Sequence, residues 1–195
     1  MQNLGFYFKL GWEHIIAFDA LDHLLFVLAL SAIYLISNWK QVLVLVTAFT
    51  IGHSLTLALS VYNIVRVDDK WVEFLIPCTI VVTAVLNLLE KNYEPRSLRL
   101  NYVLALFFGL IHGLGFANAI RFMIARDESM GWSLFGFNIG LEAGQIVVVT
   151  AILLLGFVVV TKAGFKRKWW VWSLSLIALV IASKMAWDRF PALLS

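Results

Sequence analysis

The sequence has little charge and little cysteine, and each scarcity excludes a class of protein. Only 14% of the 195 residues are Asp, Glu, Lys or Arg, which is too few to cover the surface of a soluble domain. The single cysteine, Cys78, excludes a disulfide framework within the chain. The remainder is 62% hydrophobic, with a mean hydropathy of +0.89, so we predict an integral membrane protein.

Two functional motifs are also missing. There is no phosphate-binding loop, so any work that the protein does draws on a membrane potential, a proton or a separate subunit. The formal net charge is +3, but the basic residues form short clusters beside apolar segments instead of an aromatic-laced patch. We therefore expect no nucleic-acid partner.

Six apolar stretches are each long enough for a transmembrane helix, which needs ~20 residues. Their connections are short and polar, and Pro95 excludes continuous helix between the third and fourth stretches. We predict an all-α integral membrane protein, with residues 1–195 in one domain. The bundle has about six spans, at about 15–37, 41–62, 71–90, 100–124, 134–161 and 169–187.

The distribution of lysine and arginine predicts the orientation, because cytoplasmic loops carry an excess of both. The excess follows the first, third and fifth spans, as in the segment KAGFKRK. Both termini are then expected on the outer, periplasmic side of a bacterial cytoplasmic (inner) membrane.

The polar residues inside the spans are few and converge on one layer. All four histidines lie in or at the end of a span. At 1.5 Å per helical residue, titratable side chains from four spans reach a layer roughly 10 to 18 Å from the outer face. Imidazole and carboxylate together suit a first-row divalent metal ion such as nickel, cobalt or zinc. The predicted ligands are His14, Asp22, His23, His53, His112 and Glu142.

Amides and small residues surround these candidates. Asn87, Asn138 and Gln145 are predicted to orient the ligands from a second layer. Small residues flank each histidine in FTIGHSLTLAL (49–59) and FGLIHGLGFAN (108–118), which predicts that both histidines lie at helix crossings. For Ser54 a hydrogen bond back to its own helix is the leading alternative to a functional role.

Four motifs together resemble the HupE/UreJ family of small bacterial membrane proteins: EHIIAFDALDHLLFVLAL, FTIGHSLTLAL, FGLIHGLGFA and FNIGLEAGQ. The resemblance implies transport of nickel or cobalt, and it gives functional weight to the six predicted ligands. Two departures favour a less characterised branch of the family. Ile15 follows the first histidine where better-known members have proline, and Asn138 stands where they have histidine.

Three functions follow from these observations. The first is a permease for a divalent metal ion, and the second is an intramembrane zinc hydrolase in which Asp22, Glu142 or Ser54 serves catalysis. The third is a membrane subunit that binds metal for structure only. The expected partners are the lipid bilayer and the metal ion, with a second copy or a membrane subunit as further candidates.

Overall fold

The computed structural model describes residues 2–17, 21–93, 97–124 and 130–194, and within this part of the chain all regular structure is helical. Short 3-10 turns at Ile36–Asn38 and Phe190–Leu193 and a π turn at Phe157–Lys162 complete the fold. The seven α-helices are α1 (Gln2–Ile16), α2 (Leu21–Ser31), α3 (Trp39–Val61), α4 (Asp69–Leu89), α5 (Leu98–Ile124), α6 (Met130–Gly156) and α7 (Arg167–Arg189).

Five of the helices, α3 to α7, are long and apolar enough to cross a membrane. They correspond to the second to sixth predicted spans. The first predicted span, 15–37, differs from the structure, because α1 lies mostly before it and α2 ends at Ser31. On α1, Lys9 and Glu13 form an exposed ion pair one turn apart, 3.6 Å between charged atoms.

Helices α1 and α2 are long and apolar enough to cross a membrane only when taken together as a bent pair, the shape of a broken span or of a re-entrant loop. Their axes differ by 67°. Phe8 packs against Gly140 of α6, and Val27 of α2 belongs to the same apolar cluster as Val149 and Leu153 farther along α6. Both halves therefore run in the same direction along α6. With this pair as one crossing, the described chain has six spans and both of its ends lie at the same end of the bundle.

Glycine allows the closest helix crossings. A methyl group added at Gly109 of α5 would collide with the carbonyl of Phe49 on α3, and one at Gly113 would collide with the carbonyl of His53. The predicted location of His53 at a helix crossing is confirmed. Gly140 makes an equivalent contact between α6 and α1, so both contacts depend on residues without side chains.

We expect Gly109→Ala to destabilise the fold, because the added methyl group meets fixed backbone. Overpacking of this kind costs about 1–3 kcal/mol, so the thermal melting temperature in detergent should fall by several degrees. Gly5→Ala in α1 is the matched control, since nothing lies within 4 Å of its added methyl group. Equal melting temperatures for the two variants would show that the α3 and α5 crossing tolerates more volume than the structure indicates.

Proline shapes the start of α4. Pro77 lies inside the helix and has no N–H to donate to the carbonyl of Glu73, four residues earlier. The guanidinium of Arg189, at the end of α7, donates to that carbonyl instead, with an N to O distance of 2.7 Å. This hydrogen bond holds the last residue of α7 at the end of the bundle where α4 and α6 begin.

Candidate metal centre

Three histidines from three helices meet beside the break in the first span. His14 is in the last turn of α1, His23 is in the first turn of α2, and His53 is in the C-terminal half of α3. One ring nitrogen from each lies within 4.8 Å of the others. Three imidazole nitrogens at this separation can converge on one ion of the first transition row with small side-chain movements.

The fourth histidine, His112 of α5, lies against the same group. Its ring centroid is 4.9 Å from that of His23. Both His53 and His112 have 0% exposure to solvent. The structure thus brings together all four histidines that the sequence predicted as ligands, and we call them the histidine cluster.

The histidine cluster contains buried nitrogen atoms without hydrogen-bond partners. Both ring nitrogens of His53 lack a partner, as does one nitrogen each of His14, His23 and His112. A buried polar atom without a partner costs about 1–3 kcal/mol. One of the two His53 nitrogens carries the ring proton, so four lone pairs in one place suit a ligand that accepts electron pairs.

Asp22 supports the histidine cluster through His23. Its Oδ1 accepts a hydrogen bond from the His23 ring nitrogen Nδ1 at 3.1 Å and another from the His23 backbone N–H at 2.9 Å. With its proton on Nδ1, the imidazole presents the lone pair of Nε2, which is the partnerless atom. Asp22 was predicted as a ligand, but in the structure its carboxylate orients the His23 ring and it is not in the group of close ligands found among the described residues.

Thr79 of α4 orients the ring of His112 in the same way, and this role was not predicted from the sequence. The Thr79 hydroxyl donates its only proton to the carbonyl of Ile76 at 2.7 Å. It therefore accepts from Nε2 of His112, 3.0 Å away. The lone pair of His112 is then on Nδ1, again the partnerless atom. A threonine in a span is ordinary, so only the fold identifies this role.

Aromatic rings surround the imidazoles. Phe116 packs on His14 with ring centroids 3.9 Å apart, and Phe137 stacks on His53 at 6.2 Å. On the other side Phe26 and Phe49 lie 5.2 Å and 5.1 Å from His112. These rings lower the local dielectric around the buried nitrogens, which strengthens the interaction of the nitrogens with a charged ligand.

A cavity of about 410 Å³ connects the histidine cluster to the end of the bundle where α4 and α6 begin, which we call the cavity end. His14, His23 and His112 line its inner part. Exposed Glu73 and half-buried Arg189 lie at its mouth. The lining of this cavity therefore runs from three imidazoles of the histidine cluster to a carboxylate and a guanidinium near the cavity end.

The structure does not bring Glu142 into the histidine cluster. Its carboxylate accepts a hydrogen bond from Thr47 of α3 at 2.7 Å, and among the described residues it belongs to no group of close ligands. Thr47 precedes His53 by six residues, about 9 Å along the helix. The predicted role of Glu142 as a ligand therefore has no geometric support.

The amides predicted as a second layer also bond elsewhere. Gln145 accepts from Thr50, Asn138 donates to the carbonyl of Leu134, and Asn87 donates to the carbonyl of Ala29. The hydroxyl of Ser54 donates to the carbonyl of Thr50, which confirms the hydrogen bond back to its own helix. None of these hydrogen bonds reaches an imidazole.

Comparison with known proteins identifies the family. The family model described as "HupE / UreJ protein" matches residues 1–189, which include all four histidines. Neither the curated proteins nor the solved structures contain a match. The resemblance predicted from four sequence motifs is confirmed by a match over nearly the whole chain. This multi-pass membrane protein belongs to the HupE/UreJ family.

Proposed function

We propose that the protein is a permease for a divalent transition-metal ion of the nickel and cobalt class. The observation that carries the proposal is the broken first span, in which His14 closes one half, His23 opens the other, and both line the cavity. Interrupted helices form the substrate and ion sites of many secondary transporters, near the middle of the membrane. Membership of the HupE/UreJ family supports the choice of metal.

The ligand chemistry favours an ion that is released again. The histidine cluster offers neutral imidazoles, and Cys78 is not part of the group of close ligands. Imidazole suits nickel, cobalt and zinc, and without thiolate the site holds such ions less tightly than a structural zinc site does. Transport requires binding strong enough to capture the ion and weak enough to let it leave.

The direction and the driving force follow from charge. The excess of lysine and arginine at the opposite end of the bundle, which we call the far end, supports a cytoplasmic location for that end, with the protein in a bacterial inner membrane. The cavity then opens outward. A divalent ion moving inward across ~100 mV releases about 4–5 kcal/mol, so the membrane potential suffices without ATP.

A zinc hydrolase has less support than a permease. The groups assigned to acid, base or oxyanion chemistry are engaged elsewhere: Ser54 bonds to a helix carbonyl, Glu142 bonds to Thr47, and Asp22 bonds to His23. A hydrolytic site needs such a group beside the metal-bound water, and of the three only Asp22 lines the cavity.

The proposal is tested by uptake into proteoliposomes that contain a metal-sensitive dye. We expect nickel or cobalt uptake that accelerates when the interior is made negative, because a divalent cation gains about 2.3 kcal/mol per charge per 100 mV. Vesicles with His23→Ala protein are the control and should match empty vesicles. Equal uptake by wild-type and His23→Ala vesicles would contradict the proposal, as would metal binding without any uptake.

A further inference from the structure

A second cavity lies in the half of the bundle toward the far end. Its volume is about 30 Å³, room for about two water molecules. Tyr34, Thr83, Asn87 and Asn101 contribute polar groups to its lining. The inner halves of α3 and α5 are nearly all apolar in sequence, so the polar groups of this inner cavity come mostly from α4 and from the ends of other helices.

The amides of the inner cavity present acceptors. The side-chain nitrogen of Asn87 donates to the carbonyl of Ala29 at 2.7 Å, and that of Asn101 donates to the hydroxyl of Tyr34 at 2.7 Å. With both nitrogens engaged, the amide oxygens are the groups available to an ion. Neutral oxygens bind a nickel or cobalt ion more weakly than imidazoles do, which suits a transient binding site on the exit path.

One face of α4 links the histidine cluster to the inner cavity. Thr79, Thr83 and Asn87 follow each other at intervals of four residues, so they share a helix face. Thr79 accepts a hydrogen bond from His112, whereas Thr83 and Asn87 line the inner cavity. All three are buried, and the row covers about 12 Å along the helix.

Three phenylalanines close the space beside this row. Phe26 of α2 stacks on Phe49 of α3 at 4.7 Å and meets Phe108 of α5 edge-on at 6.0 Å. Phe26 and Phe49 contact His112 on one side, whereas Phe108 lines the inner cavity on the other. The three rings, which are all buried, separate the histidine cluster from the inner cavity.

We propose that the Thr79, Thr83 and Asn87 face of α4 is the exit route for the metal ion and that Phe26, Phe49 and Phe108 form its gate. The inference rests on the proposed permease function and adds the path and the barrier to it. Phe26 is one turn after His23 on the short helix α2, so a shift of α2 when His23 binds the ion also moves a gate ring. Rotation of Phe108 then joins the two cavities.

The route is tested with Thr83→Val and Asn87→Leu, which keep side-chain size and remove polar groups from the inner cavity. Thr83 donates its hydroxyl to the carbonyl of Thr79 on its own helix at 2.8 Å. Thr150→Val is the matched control, since Thr150 donates to its own helix at 2.7 Å in the same way but is exposed on the outside of α6. Two quantities are measured for each variant: nickel or cobalt binding in detergent and uptake into proteoliposomes.

We expect Thr83→Val and Asn87→Leu to bind metal as wild type does and to slow uptake by roughly 10-fold or more, the effect of losing a polar group that meets a partly dehydrated ion. Thr150→Val should retain wild-type uptake. Normal uptake by both inner-cavity variants overturns the route and leaves the permease function standing. Metal binding by the wild-type chain without uptake overturns the permease function and the route with it.

The gate is tested by a separate measurement, which does not depend on whether Thr83→Val and Asn87→Leu fold. Replacing Cys78, the only cysteine, by alanine gives a background in which Thr83→Cys supplies the single thiol. Silver ion added at the far end should react with this thiol. Silver added at the cavity end should react only after Phe108→Ala has removed a gate ring. Equal reaction from the cavity end with and without Phe108 overturns the gate.

Discussion

His53→Leu is expected to abolish metal binding and to stabilise the metal-free protein at the same time. His53 is completely buried, and both of its ring nitrogens lack hydrogen-bond partners. Leucine of similar size removes this desolvation penalty, about 1–3 kcal/mol for each atom. It also removes one of the three close ligands. The affinity for metal should therefore fall by more than about 100-fold, which exceeds the loss typical of a residue that only orients a ligand.

The measurement is thermal melting in detergent with and without nickel, cobalt or zinc. A ligand present at 100 times its dissociation constant stabilises the folded state by about 2.7 kcal/mol. Wild-type protein should therefore melt higher with metal, whereas His53→Leu should melt at one temperature in both conditions. That temperature should equal or exceed the value for the metal-free wild type.

Glu142→Gln is the matched control, because Glu142 is also a polar residue of a span but bonds to Thr47 outside the histidine cluster. It should keep wild-type metal affinity. Loss of binding in Glu142→Gln, together with retained binding in His53→Leu, would reverse the assignment of ligands. A lower melting temperature for metal-free His53→Leu would mean that the imidazole has a structural partner.

The sequence predicts the histidines well because their depth along each helix follows from residue number alone. Imidazole is rare in spans, and histidines from three spans at similar depths leave few alternatives. Depth does not fix the direction in which a side chain points. Gly140 and Gly144 face α1, and Glu142, two residues after Gly140, is turned by about 200° around the helix. The glycines therefore mark a contact face that excludes Glu142.

The broken first span could not be predicted from composition. The region of α1 carries Lys9, Glu13 and two glycines, which is typical of an interfacial segment. In the structure the ion pair is exposed and Gly11 contacts the backbone of Phe137. Helix contacts of this kind join residues more than 100 positions apart, which a pattern of apolar residues does not report. Thr79 was missed for the same reason, since its partner is on another helix.

Asp22→Asn is expected to weaken metal binding while leaving the fold intact. The asparagine oxygen can still accept from the Nδ1 proton of His23, so the geometry at 3.1 Å is retained. The negative charge that attracts a cation bound at the His23 Nε2 lone pair is lost. Carboxylate partners of metal-bound histidines contribute roughly 10- to 100-fold in affinity, and we expect a loss in that range with an unchanged melting temperature for the metal-free protein.

Competition titration with a metal-sensitive dye measures this change, and Asp188→Asn is the control. Asp188 also accepts from a neighbour on its helix, Lys184 at 2.6 Å, but it is exposed and is not among the residues that line the cavity. Its replacement should leave affinity unchanged.

If Asp22→Asn binds as tightly as Asp188→Asn, the carboxylate only caps the start of α2. If Asp22→Asn loses all binding and Asp22→Glu restores none, Asp22 is itself a ligand, as the sequence first suggested. A partial loss that Asp22→Glu partly restores is the result expected of a carboxylate acting through His23.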